Sequence, residues 1–249
     1  MNIRHIHLDK VDSTNNYLQC YKQAPDEDIT FVWTDAQEAG RGCDTNSWES
    51  EEGKNLTFSI LFHPKHIPAS KQFIISMANA LALKEALEQY TDDITVKWPN
   101  DIYWKDFKMA GTLIEPSLRK GMVADCIIGT GINVNQTAFH SDAPNPVSLK
   151  EVCGHGVGRE ELASIVTEKL LYYISILEVP DTWPSIRESY RKALYRKEGV
   201  HCYQTASEEP FKATMHTVED NGNLVLEIPT SDGKTELRKF AFKELKYII

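Results

Sequence analysis

The chain has 249 residues, 41% of them hydrophobic and 25% charged, a balance that suits a globular core and excludes both a disordered and a membrane-embedded chain. That length holds one substantial core plus a small appended unit, and the net charge of −9, from 27 Lys and Arg against 36 Asp and Glu, argues against DNA as a partner, because duplex binders neutralise phosphates with basic surfaces. The five cysteines, Cys20, Cys43, Cys126, Cys153 and Cys202, are scattered and form no C-x-x-C, which points to free thiols in a reducing compartment. Residues 1–10 mix charged and apolar side chains without the apolar run of a secretory signal, and nowhere do about 20 apolar residues follow one another, as a membrane span needs. A cytoplasmic protein with no membrane segment is expected.

In chain order, residues 3–8 alternate enough for a strand. A helix opens at Tyr17 and Leu18, with Asp12 or Ser13 placed to cap it. Residues 30–34 are β-branched and aromatic, hence a strand; 37–53 read as a long polar loop; Leu56–Phe62 resumes a strand. Between 70 and 90 the spacing is helical and apolar nearly all round, which predicts a helix buried on more than one side. Short strands are predicted over 94–98, 102–104, 109–115 and 122–128, followed by a loop over 135–146 punctuated by Pro144 and Pro146. Helical spacing returns over 162–177, behind Gly158 and Arg159, and over 183–195. Four strands then follow, over 200–203, 211–218, 224–228 and 236–242, with Asn221-Gly222 and Asp232-Gly233 as hairpin signals. The change of character places a boundary near Lys197, dividing 1–196 from 197–249.

Four stretches carry more glycine, charge and aromatic character than a core requires. Gln37-Glu38-Ala39-Gly40-Arg41-Gly42 sets a guanidinium between two residues that allow close backbone approach to an anion; a solvated surface arginine is the plain alternative. Lys97-Trp98-Pro99-Asn100-Asp101 clusters polar groups at a strand end, or simply packs a tryptophan beneath a polar turn. Lys108-Met109-Ala110-Gly111 begins a strand with a lysine, which alone reads as solvated. Gly129-Thr130-Gly131-Ile132-Asn133 ends a strand without the strand–turn–helix context of a dinucleotide fingerprint.

Taken in order, Asp12-Ser13-Thr14-Asn15, then Gly40-Arg41-Gly42 with Trp48, then Lys97 to Asp101, then Lys108 to Gly111, then Gly129 to Asn133, the series resembles the biotin protein ligase family over about residues 10–135. The K-W-P-N-D segment followed closely by K-x-A-G is its most specific part. The resemblance implies an α+β fold: a class II synthetase-like catalytic domain, with a mixed sheet flanked by helices, over 1–196, and a small SH3-like β-barrel over 197–249. It also implies an ATP-dependent ligase that makes biotinyl-5′-AMP from biotin and MgATP and passes the biotinyl group to a lysine of a biotin carboxyl carrier domain of a biotin-dependent carboxylase. The cofactor set is then ATP, biotin and Mg2+, with no particular residue assigned to the metal.

On that resemblance Arg41, Lys108 and, in support, Lys97 are the catalytic cations, and Asp101 orients or deprotonates the carrier lysine, whose free pKa of about 10.4 leaves it mostly protonated. Ser13, Thr14, Asn15 and Gln37 line the biotin head pocket; Gly40, Arg41, Gly42, Cys43, Lys108, Gly111 and Gly129 complete the biotin site. Trp48, Asn100 and Asn133, with Arg41 and Lys108, fall to the nucleotide, Trp48 stacking on adenine. One departure stands out: the family's G-R-G-R-x-G loop here continues Gly42-Cys43-Asp44-Thr45, without the second arginine. A loop that closes through Trp48 but holds the adenylate less tightly is expected. Because the serine-threonine motif begins near residue 12, the monofunctional form, without a DNA-binding domain, is expected, with homodimerisation possible. The competing readings are a lipoate or octanoate ligase or transferase of related fold and, from another class, a non-catalytic adaptor built on the C-terminal barrel.

Overall fold

The computed structural model describes residues 1–43, 46–141 and 145–249; Asp44, Thr45 and Pro144, on which parts of the loop readings fall, lie outside the described residues. The chain opens with β1 (Ile3–Val11), longer than the alternation suggests because this strand lies at a sheet edge and tolerates Asp9 and Lys10. It crosses through α1 (Thr14–Cys20) to β2 (Ile29–Gln37), which runs parallel to β1. The following strands are β3 (Leu56–Phe62), β4 (Ile94–Lys97), β5 (Asp101–Trp104), β6 (Phe107–Arg119) and β7 (Met122–Ile132). They join in the order β1-β2-β3-β7-β6-β5-β4, antiparallel everywhere except the first pair.

Helix α2 (Phe73–Leu87) is buried nearly all round, as its composition predicts, with Ile74, Ile75, Leu81, Leu83 and Leu87 in the core. Each such side chain stabilises the fold by about 1.5–3 kcal/mol relative to exposure. It packs with α4 (Arg159–Leu177) and α5 (Trp183–Ala193). The short α3 (Leu149–Cys153), absent from the sequence reading, is set by a reciprocal Ser148–Glu151 capping box and stopped by Gly154 at φ 78°. Helix α1 departs from expectation at its cap: Ser13 occupies the cap position, yet its hydroxyl makes no cap bond, and the backbone N–H of Thr14 donates instead to Gln37 Oε1 at 2.8 Å.

The second sheet follows α5, with strands β8 (Val200–Gln204), β9 (Phe211–Val218), β10 (Leu224–Pro229), β11 (Thr235–Phe240) and the two-residue β12 (Lys246–Tyr247). They are antiparallel in the order β11-β10-β9-β8-β12. At both predicted hairpins the glycine takes the left-handed conformation, Gly222 at φ 93° and Gly233 at φ 79°. The Gly222 hairpin docks on the first unit: Trp98 Nε1 donates to Gly222 O at 2.9 Å, and a Cβ at Gly222 would stand 2.7 Å from the Phe73 ring. Arg187 pairs with Asp220 at 2.8 Å, and Arg196 donates to Ile248 O at 2.7 Å. No helix among the described residues is long and apolar enough to cross a membrane.

Candidate functional site

Strand periodicity gives the large sheet two unlike faces. Residues 56, 58, 60 and 62 of β3 point into the core under α2 with Ile128, Ile132 and Ala110 of β7 and β6. The odd-numbered residues point the other way. Over half of that second face α1 seals a small cluster of Leu18, Val32, Leu61 and Ile127. Over the other half the cross-strand rows are Thr57–Gly131–Gly111 and Ser59–Gly129–Leu113. Only the first turn of α1 reaches this half, with Asn15 over Gly129, and its three glycines make a floor of main chain.

A cavity of about 180 Å³ opens on that floor. Ser13 at the cap of α1 and Thr14 and Asn15 within it, all buried, wall one end with Gln37. Arg41, Gly42 and Cys43 form the roof, Lys97, Asn100, Asp101 and Lys108 the opposite end, Gly111 and Gly129 lie on the floor, and the Trp48 side chain also lines the cavity. Most of the residues picked from the sequence therefore meet in one place. Gly40 and Asn133 do not line it. Gly40 packs against the roof strand, where a Cβ would stand 2.3 Å from Trp48 O. Asn133 is buried behind the wall, its amide donating to Val147 O at 3.3 Å and Lys108 O at 3.4 Å, so it supports the lysine from behind.

The stretch read as a loop has hairpin character where it is described: Trp48 N donates to Gly40 O at 2.9 Å, Arg41 bridges Ser47, and Gly42 N donates to Asn46 O at 2.7 Å. These bonds lay the Trp48 indole on the floor. A Cβ at Gly131 would stand 2.1 Å from the ring and one at Gly111 would stand 3.0 Å from it. The indole N–H is buried without a hydrogen-bond partner among the described residues. The ring lines a cavity smaller than the roughly 300–1,000 Å³ of ordinary ligand clefts.

The two ends differ in electrostatics. At the α1 end the polar groups interlock. Thr14 donates twice to Gln37 Oε1, Ser59 Oγ lies 2.6 Å from Thr14 Oγ1 and 2.5 Å from Asn15 Oδ1, and Asn15 Nδ2 donates to Glu115 Oε2 at 2.7 Å. Arg41, expected to face a phosphate, instead pairs with Glu115 Oε1 at 2.5 Å and donates to Asn16 Oδ1 at 2.7 Å. Its charge is thereby balanced.

At the other end Lys108 Nζ meets Asp101 Oδ2 at 2.8 Å. Lys97 lies 5.3 Å from the Tyr103 ring centre and 4.9 Å from that of Tyr247, which belongs to the second sheet. Burial pushes the Lys97 ammonium below the usual lysine value, against the pull of the Asp101 carboxylate. Two lysines and one carboxylate leave this end with net positive charge.

Sequence reading missed Glu115, Ser59 and Phe242, and gave no site role to Gly131, although it lies in a stretch that reading singled out. Glu115 and Gly131 share strand parity with residues it did select, 115 with 111 and 131 with 129, whereas no residue of β3 was selected and Ser59 is found only through its register with Gly129. Phe242 reaches the cavity only because the second sheet docks beside β4.

The sequence model of the Biotin/lipoate A/B protein ligase family matches residues 8–133. The bifunctional ligase/repressor BirA of Escherichia coli strain K12 is 31% identical over 175 residues, covering 69% of this chain and 53% of that protein, so the chain spans about half the length of that relative. The biotin–[acetyl-CoA-carboxylase] ligase of Paracoccus denitrificans is 27% identical over 230 residues, 89% of this chain and 93% of that one. In fold, the chain is similar to the biotin protein ligase from Aquifex aeolicus in complex with biotin and ATP, with a TM-score of 0.78 at 24% identity, covering 98% of this chain and 99% of that one.

Proposed function

The chain belongs to the Biotin/lipoate A/B protein ligase family, and from that premise we propose that it is a biotin protein ligase acting in the cytoplasm on a lysine of a biotin carboxyl carrier domain. The observation that carries the reading is the polarity of the cleft. One end is neutral and rich in fixed donors and acceptors; the other, across a floor of glycine backbone, is cationic. Biotin has the matching form, an uncharged ureido head that needs polar partners once buried and a carboxylate at the far end of its chain. The two units over 1–196 and 197–249 act together, since Phe242 and Tyr247 of the second reach the cleft and Lys97.

In the first step a biotin carboxylate oxygen attacks the α-phosphorus of ATP, forming the acyl phosphate and releasing pyrophosphate. Lys108, held by Asp101 and backed by Asn133, is placed to meet the charge that builds on the phosphorus oxygens, and Lys97 adds to the field there. A preorganised donor of this kind lowers a barrier by about 3–4 kcal/mol. Asp101 is the carboxylate at this end and, with the Asn100 amide oxygen beside it, would hold a Mg2+ carried in on phosphates. The ion would supply neutralisation of phosphate charge.

In the second step the carrier amine attacks the acyl carbon, an amide forms and AMP leaves. Asp101 is placed to orient that amine and accept its proton. Trp48, on the floor, contacts the adenine, and Cys43 in place of a second arginine leaves the roof with less charge to retain the adenylate. The direct test incubates the chain with biotin, MgATP and a purified carrier domain, with ATP omitted as control and lipoate as the rival acid. Biotinylated carrier formed only with ATP and biotin supports the reading; lipoylated carrier, or no product, defeats it.

A further inference from the structure

We propose that Glu115, which lies behind the cleft wall, is the positioning residue that fixes Asn15 and Arg41 and so makes the α1 end of the cleft selective for an uncharged head; the inference rests on the biotin reading above. Glu115 stands on β6, two residues beyond the floor position Leu113 and on the same face, where the sheet passes beneath α1. Its two oxygens serve different partners: Oε2 accepts from Asn15 Nδ2 at 2.7 Å, and Oε1 accepts from Arg41 at 2.5 Å.

A carboxamide is nearly symmetrical in shape, so its orientation is decided by its partners. Asn15 has unlike partners at its two ends. Its nitrogen faces a carboxylate, which can only accept. Its oxygen faces the Ser59 hydroxyl at 2.5 Å and lies over Gly129, where a Cβ would stand 2.1 Å away. Only one orientation satisfies both ends. Ser59 has a single proton to share between Asn15 Oδ1 and Thr14 Oγ1, so acceptor capacity is left over on the cleft side for a ligand N–H.

The same carboxylate decides the charge of the pocket. With Glu115 ionised, Arg41 and Glu115 cancel, and an uncharged head enters a neutral, prearranged site. With glutamine at 115, an amide N–H must face either Asn15 Nδ2 or Arg41, both donors. One of the two must then turn away, and the arginine charge is left unbalanced beside the head.

The test is calorimetric titration of the full chain with biotin and with biotinamide, which keeps the head and lacks the carboxylate. Glu115→Gln is expected to weaken both ligands by the same factor, about tenfold or more, as for loss of a hydrogen bond to a charged group. Asn15→Ala is expected to weaken both as well, and the double variant to lose clearly less than the product of the two single losses, because Glu115 acts in part through Asn15 and in part through Arg41. Thermal midpoints on the same samples separate a loss of fold from a loss of positioning, and Glu115→Asp enters the same cycle if Glu115→Gln does not fold. Biotin binding by Glu115→Gln within about twofold of the unaltered chain, multiplicative losses in the double variant, or a loss confined to biotin would each overturn the role given to Glu115 alone. Failure of the unaltered chain to bind biotin would overturn the biotin reading and this inference with it.

Discussion

The two ends of the cleft solve opposite problems. At the α1 end Arg41 has its countercharge in Glu115 and Asn15 has partners at both ends of its amide, so the pocket is prearranged and neutral before any ligand arrives. At the β4–β5 end two ammonium groups share one carboxylate, and Lys97 is held against aromatic rings rather than against an acid. Rigidity with neutrality is what recognition of an uncharged polar group demands, because a buried donor or acceptor left unpaired costs about 1–3 kcal/mol. Excess positive charge held in place is what two approaching anions demand. On the proposed function, the cleft separates binding from chemistry along its length, with the glycine floor between them.

Removing Lys108 gives the largest expected effect. Lys108→Ala should slow adenylate formation, followed by biotin-dependent exchange of pyrophosphate into ATP, by about 10²–10³-fold, while biotinamide binding stays within about threefold. A loss of biotinamide affinity as large as the loss of exchange would mean that the ends are not separate. Asp101→Asn comes next. It should slow transfer from preformed adenylate to the carrier by about 10²-fold and adenylation by clearly less, and equal losses in the two half-reactions would remove the acceptor role from Asp101.

The smallest effect concerns Lys97 and sharpens the contrast through pH. Burial depresses its folded-state pKa below the unfolded 10.5, so between those two values the unfolded chain binds more protons and stability from this group rises with pH. Comparing thermal midpoints of the unaltered chain and Lys97→Met at pH 7 and pH 10, the difference should move in favour of the unaltered chain by about 2–4 °C for each kcal/mol relieved. A difference that is flat, or moves the other way, would mean the ammonium is not held at a cost.

Much of this was legible in one dimension. The fully buried β3, the all-round apolar α2 and the two Asx-Gly hairpins each follow from local pattern, and the motif residues around 13–15, 41, 97–101 and 108–111 do meet in space. What escaped was set partly by local pairing that no hydrophobic period marks and partly by partners distant in the chain. Helix α3 is too short to show a period and exists through its capping box. The Gly40–Trp48 hairpin lies in a polar stretch whose pairing is backbone to backbone. Glu115 and Ser59 reach the site through cross-strand register, so no spacing along the chain marks them unless the parity of β3 and β6 is followed outward from Thr57 and Gly111. The balancing of Arg41 could not be foreseen either, since its carboxylate lies 74 residues away.

The rows Thr57–Gly131–Gly111 and Ser59–Gly129–Leu113 have a last consequence for what this cleft could admit. Their peptide dipoles are already committed to the neighbouring strands, so a flat ring resting there gains area without direction, and any planar system of suitable breadth would be received alike. Thickness is another matter: the indole already lies against Gly131, and a substituent projecting downward from a ligand ring would have nowhere to go. Compounds modified at the rim should be accepted more readily than compounds modified on the face, whatever their polarity.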